Sequence, residues 1–218
     1  MPAILFGSIS TVSDTSELQR EAFNQAFSEQ GLDWSWDRDD YRARLEGSGG
    51  ANRIAEYADE RGEEVDADAV HQAKSEAFQR NVAEAGVTPR AGVAETIAAA
   101  KEQGWKIGFV TTTSAANLDA LFGTLSPGID ASTFDVVVDS DDVDAPKPDP
   151  AAYAYALEQL GEKADDCVAV EDNLGGVQAA HAAGIKVVAF PNVNTAEHDF
   201  ADADSQTDRL DFAELSGV

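Results

Sequence analysis

The feature that most limits what this chain can become is a lone apolar run at residues 2–6, cut off from a later strand–helix alternation by a purely helical block. The run PAILF ends at Gly7-Ser8 and suits a buried strand. Residues 16–30 then carry Leu18, Ala22, Phe23, Ala26 and Phe27 at helical spacing. Further helical segments are expected at about 37–46, 51–61 and 66–86, with Gly47-Ser48-Gly49-Gly50 breaking the first from the second. From Pro89 the pattern alternates: helix 92–104, strand 105–110, helix 114–123, strand 134–138, helix 150–160, strand 167–170, helix 174–183 and strand 186–190. Such alternation implies parallel βαβ units with both faces of the sheet covered. The expected fold is therefore α/β: a Rossmann-like, doubly wound parallel sheet with a four-helix cap inserted after its first strand. The core should comprise residues 1–14 and 88–218, and the cap residues 15–87. Ligands of such sheets bind at the carboxyl ends of the strands. The turns after Phe6, Val110, Val138 and Val170 should thus line one site, with the insert above it as a lid.

Charge excludes some partners. Forty-one acidic residues face 15 basic ones, for a formal charge of −26, and no basic stripe is visible. Nucleic acid needs such a stripe and is not expected as a partner. No stretch approaches the roughly 18 apolar residues of a membrane span. The N-terminal MPAILFGS lacks the basic region of a signal peptide. The single cysteine, Cys167, cannot form an internal disulfide, which fits a reducing cytoplasm. A monomer or small homo-oligomer is expected.

Four segments fall at strand ends: FGSISTVSDT (6–15), VTTTS (110–114), APKPDP (145–150) and VEDNLGG (170–176). Each has a chemical reading and a plainer one. Thr111 and Thr112 precede a helix whose N-terminus favours anions, or they merely lead into its cap. Lys147, one of six lysines, is flanked by prolines that stiffen and aim its loop, or it is a surface lysine in a turn. Glu171 and Asp172 form a carboxylate pair suited to Mg²⁺, or they are acids placed to favour a helix dipole.

Taken in order, with AAHAAG at 179–184, LQREAFNQAF at 18–27, GGANRI at 49–54 and TPRAGV at 88–93, these segments resemble the haloacid dehalogenase superfamily. The chain is similar to the branch that contains β-phosphoglucomutase and the CbbY-type sugar-bisphosphate phosphatases. The resemblance covers most of the chain. It implies that Thr111, the backbone N–H of Thr112, and Lys147 hold a substrate phosphate. It also implies that Glu171 and Asp172 are metal ligands, and that Arg53 contacts the distal part of the substrate from the cap. The plainer reading of Arg53 is a solvated helix charge.

The first segment departs from the family. Members carry a nucleophilic, metal-binding Asp directly after the first strand and an acid/base Asp two residues on. Here those positions are Gly7 and Ile9. Glycine cannot attack phosphorus, isoleucine cannot carry a proton, and Mg²⁺ would be held weakly or not at all. Ser8, between the vacant positions, would point away from the site if the chain ran on as a strand. Two functions follow as expectations. One is a catalytically impaired member that binds a small phosphorylated metabolite. The other is an active Mg²⁺-dependent phosphatase with an unrecognised nucleophile.

Overall fold

The structure, a computed structural model, describes residues 2–47, 49–125 and 128–217. Its centre is a parallel sheet whose first strand, β1 (Ala3–Phe6), is fully buried. The other strands are β2 (Lys106–Val110), β3 (Val136–Val138), β4 (Cys167–Glu171), β5 (Lys186–Ala189) and β6 (Ser205–Gln206), in the spatial order β3-β2-β1-β4-β5-β6. The chain enters at the middle of the sheet, then builds outward first on one side and then on the other. Register aligns the strand ends: Phe6 pairs with Phe109 and Val170, and Val110 with Val138. The residues that follow Phe6, Val110 and Val170 therefore emerge at one edge, where a doubly wound sheet binds ligands.

Alternate side chains of β1 serve opposite faces, as the period of a strand requires. Ile4 and Phe6 pack with Ile97, Phe109, Phe134 and Phe190 on one face. Ala3 and Leu5 pack with Tyr153, Leu160, Val177 and Val187 on the other. Each fully buried large apolar side chain contributes about 1.5–3 kcal/mol of transfer free energy.

Between β1 and β2 lie a short helix, α1 (Ile9–Val12), and then α2 (Ser16–Glu29), α3 (Arg38–Arg44), α4 (Gly50–Arg61), α5 (Ala67–Ala85) and α6 (Val93–Glu102). Helices α2 to α5 have a separate core of Phe23, Phe27, Trp34, Trp36, Tyr41 and Ile54. The last four helices of the chain are α7 (Ala115–Thr124), α8 (Ala151–Leu160), α9 (Leu174–Ala182) and α10 (Phe212–Leu215).

Three local features differ from expectation. The chain does not run on as a strand after Phe6. Ser8 starts a helical turn instead, its Oγ accepting from Thr11 N (3.2 Å) while Thr11 Oγ1 accepts from Ser8 N (3.4 Å). This reciprocal cap of two short polar side chains three residues apart captures the turn. The edge strand β6 has no apolar pattern to announce it. It is held by β5 and by Val187 N donating to Asp204 Oδ2 at 2.8 Å. Helix α7 begins at Ala115 with Ser114 as its N-cap, so Thr112 lies in the preceding loop rather than at the helix start.

Candidate functional site

A cavity of about 810 Å³ lies at the carboxyl edge of the sheet, under the helical insert. From the core it is lined by Gly7, Ser8, Ile9, Thr111, Thr112, Lys147 and Asp172, and from the insert by Arg53, His71 and Lys74. The strand-end residues singled out in the sequence thus meet in one place, with one exception. Glu171 is fully buried and lies behind the cavity wall.

The insert is tied down on two sides. Gln79 Nε2 on α5 donates to Asn117 Oδ1 on α7 at 3.1 Å. On the other side Arg42 pairs with Glu197 at 3.2 Å and donates to the Val193 carbonyl at 3.1 Å.

Lys147 has three donors, and all three are in use. Its Nζ donates to the carbonyls of Gly7 (2.5 Å) and Val110 (2.8 Å) and to Glu171 Oε1 (2.7 Å). Tyr153 OH donates to the same Oε1 at 2.7 Å, and the ammonium lies over the Tyr153 ring at 4.4 Å. Burial pushes the Glu171 carboxyl up from its ordinary range, with Lys147 opposing the shift. Burial and the neighbouring carboxylate hold Tyr153 protonated. Glu171 Oε2 is buried without a hydrogen-bond partner.

The reason for this arrangement is position 7. A Cβ placed on Gly7 would overlap the Glu171 carboxylate and the Tyr153 hydroxyl, and a Cβ on Gly176 would overlap the same carboxylate. Glu171 therefore lies flush against two glycines, in the volume a residue-7 side chain would need. The backbone of Gly7 is not left-handed, so space, and not conformation, is what an ordinary side chain lacks there.

Ser8 is where the structure corrects the sequence reading. Because the chain turns into α1, the Ser8 hydroxyl faces the site and donates to Asp172 Oδ1 at 2.7 Å. Asn173 Nδ2 also donates to Oδ1, at 3.0 Å, and Asn192 Nδ2 donates to Oδ2 at 2.7 Å. Both oxygens of Asp172 are thus committed to protein donors. With no side chain at Gly7, Glu171 turned to Lys147 and Asp172 enclosed by three donors, the residues do not fit a Mg²⁺ site. Among the described residues no group of three or more His, Cys, Asp or Glu side chains could hold a metal ion.

Arg53 lines the cavity, but its guanidinium holds the turn between α3 and α4. Its Nε donates to the Arg44 carbonyl at 2.7 Å and its Nη2 to the Gly47 carbonyl at 3.1 Å. Sequence reasoning missed Lys74, which contacts Gln19 Oε1 and lies 5.0 Å from the Phe23 ring and 5.4 Å from the Phe78 ring. Burial, reinforced by Arg53, brings its pKa down to about 7. Burial likewise lowers nearby His71 to about 4. A signal for Lys74 was present: it lies four residues from both Val70 and Phe78, on the buried stripe of α5. Tyr153 was also missed, although it shares the buried face of α8 with Ala156 and Leu160.

A parallel sheet of this order, a helical lid and a strand-end lysine beside a Glu-Asp pair define the haloacid dehalogenase type of phosphatase fold. Residues 9–190 match the family model for haloacid dehalogenase-like hydrolases, and the chain belongs to that family. It is 39% identical over 220 residues to protein CbbY of Cereibacter sphaeroides (99% of this chain, 94% of that one) and 35% identical to protein CbbY of Rhodobacter capsulatus (100% and 97%). The crystal structure of CbbY from Rhodobacter sphaeroides in complex with phosphate superposes with a TM-score of 0.87 at 38% identity, covering 99% of this chain and 96% of that one. An Asp→Asn mutant of the same protein, in complex with xylulose-(1,5)bisphosphate, matches equally well.

Proposed function

We propose that this chain binds a small phosphorylated metabolite of sugar size in the cavity under its lid, without hydrolysing it by the family's aspartyl route. One observation carries the reading: Gly7, to which the resemblance assigns the nucleophile position, has no side chain, and the volume of one is filled by Glu171. Ile9, the acid/base position, is apolar and 4% exposed. The cavity is within the range that encloses a small ligand, and the phosphate and xylulose-bisphosphate complexes of CbbY support this ligand class. Thr111 and the loop at Thr112 are the groups from which a phosphate would gain hydrogen bonds, and Lys147 would join them only on giving up a bond it already makes. The single cysteine and the absence, among the described residues, of any helix long and apolar enough to cross a membrane support a cytoplasmic setting. The test pairs p-nitrophenyl phosphate hydrolysis in Mg²⁺ with calorimetric titration of sugar phosphates. Binding with background hydrolysis is expected, and metal-dependent turnover by the wild type would refute the reading.

A second reading has its own observation. The Ser8 hydroxyl, on the cavity wall, is 2.7 Å from Asp172 Oδ1, and the two Asn side chains orient that carboxylate. This is the arrangement of a nucleophile, a base and an orienting group. Ser8 Oγ would bond to phosphorus as the ester oxygen departs, its proton passing to Asp172. With Ile9 unable to protonate the leaving group, only aryl or acyl phosphates would react. Loss of any measured hydrolysis in Ser8→Ala would favour this reading.

A further inference from the structure

We infer that Glu171 is a built-in occupant of the Lys147 anion site, standing where the missing residue-7 side chain would be, and that an incoming oxyanion must displace it. The inference rests on the proposed binding of phosphorylated ligands and names the event that limits it.

Three observations converge. First, space: the Glu171 carboxylate fills the volume beside Gly7 and Gly176 and meets Tyr153 OH at 2.7 Å. With any larger residue at position 7 it could not stand there. Second, charge: Glu171 Oε1 is 2.7 Å from Lys147 Nζ. The one cation among the strand-end residues of the cavity wall is therefore already neutralised. Third, valence: the other two Lys147 donors are bound to the Gly7 and Val110 carbonyls, so no proton of the ammonium is left for a ligand. An anion can gain Lys147 only by taking the place of Glu171. Oε2 has no hydrogen-bond partner, so the carboxylate is held through a single oxygen.

The consequence is a site whose intrinsic affinity for tetrahedral oxyanions is masked by its own chain. Removing the charge of Glu171 while keeping its shape should expose that affinity, because Lys147 is left as a buried cation without a counter-ion.

The experiment is calorimetric titration of inorganic phosphate into the wild type, Glu171→Gln, and Glu171→Gln with Lys147→Met, at one fixed ionic strength. Glu171→Gln should bind phosphate about tenfold or more tightly than the wild type, and adding Lys147→Met should abolish the gain. Equal or weaker binding by Glu171→Gln overturns the inference while leaving the binding reading intact. No binding by any variant removes both. A crystal structure of the wild-type protein soaked in phosphate provides a check that depends on no variant folding. Phosphate beside Lys147 with Glu171 swung away is the expected result. Phosphate there with the Lys147–Glu171 pair intact refutes displacement.

Discussion

Lys147 Nζ stands 2.7 Å from Glu171 Oε1, and that oxygen occupies the space that a side chain at position 7 would need. The absence of a side chain at position 7 in the first segment thus leaves room for the contact between the third and fourth. An acidic side chain at position 7 would compete for that space. Here Glu171, at the end of a neighbouring strand, stands there, and Lys147 has a counter-ion inside the protein.

This relationship predicts a coupled pair of substitutions. Gly7→Asp alone crowds the Glu171 carboxylate and places a like charge beside it, and overpacking of this kind costs about 1–3 kcal/mol. Glu171→Ala alone strands Lys147, a loss of about 3–5 kcal/mol for a broken buried pair. Together they exchange one carboxylate for another. Urea denaturation of the two singles and the double should give a favourable coupling of about 1–3 kcal/mol. Simple additivity would mean that the two positions do not share the space.

Restoring both family carboxylates should restore chemistry. Gly7→Asp with Ile9→Asp is expected to hydrolyse small phosphate esters in Mg²⁺ at about a hundredfold or more above the wild-type background. That is a small part of the ~10⁶ in turnover that removing the nucleophile costs in another covalent enzyme. The gain requires Glu171 to leave Lys147, which the flexible end of its side chain permits. Ile9 belongs to the apolar core although it touches the cavity, so the variant should be less stable. Circular dichroism must first show it folded. A folded variant without activity would place further loss of function outside the first segment.

Lys74 makes stability depend on pH with a definite sign. Its pKa is about 7 in the fold against 10.5 for the free side chain. Between those values the unfolded chain binds more protons than the folded one, so the Lys74 contribution to stability rises with pH across that window. Below about pH 7 the penalty for burying the cation is present in full. Lys74→Met should therefore be more stable than the wild type at pH 6, by on the order of a few kcal/mol, and should lose that advantage by pH 9–10. Guanidinium denaturation of both proteins across this range measures the difference. A difference that does not change with pH would mean that Lys74 titrates as a solvated lysine.

Acidic excess predicts a response to salt. With a formal charge of −26, self-repulsion destabilises the compact state, and the Debye length falls from over 10 Å to about 3 Å as NaCl rises from about 0.05 M to 1 M. The melting temperature should rise over that interval. Surface pairs such as Arg80–Glu29 and Arg61–Glu63 oppose the trend only weakly, because exposed pairs contribute about 0–1 kcal/mol each. A flat or falling melting temperature would show the acids to be locally compensated.

The sequence by itself determined the alternating sheet, the helical insertion after its first strand, and the edge at which Thr111, Lys147 and Asp172 gather. These follow from periodicity and from motifs at strand ends, and both are local properties of the chain. It also determined that position 7 is vacant of any side chain, and no fold can give glycine a nucleophilic group. Only the tertiary structure decided what fills that vacancy. Gly7, Tyr153, Glu171 and Gly176 come from three separate stretches of chain, and the rotamer of a long carboxylate among them depends on packing that no single stretch encodes. The same holds for Ser8, which a strand would have turned away and a capped helical turn points at Asp172. It holds too for Arg53, whose guanidinium binds the carbonyls of Arg44 and Gly47. Periodicity reports which face of an element is buried. It does not report which of two nearby acids a buried lysine will choose, because hydrogen-bond valence and free volume settle that only once the elements have packed.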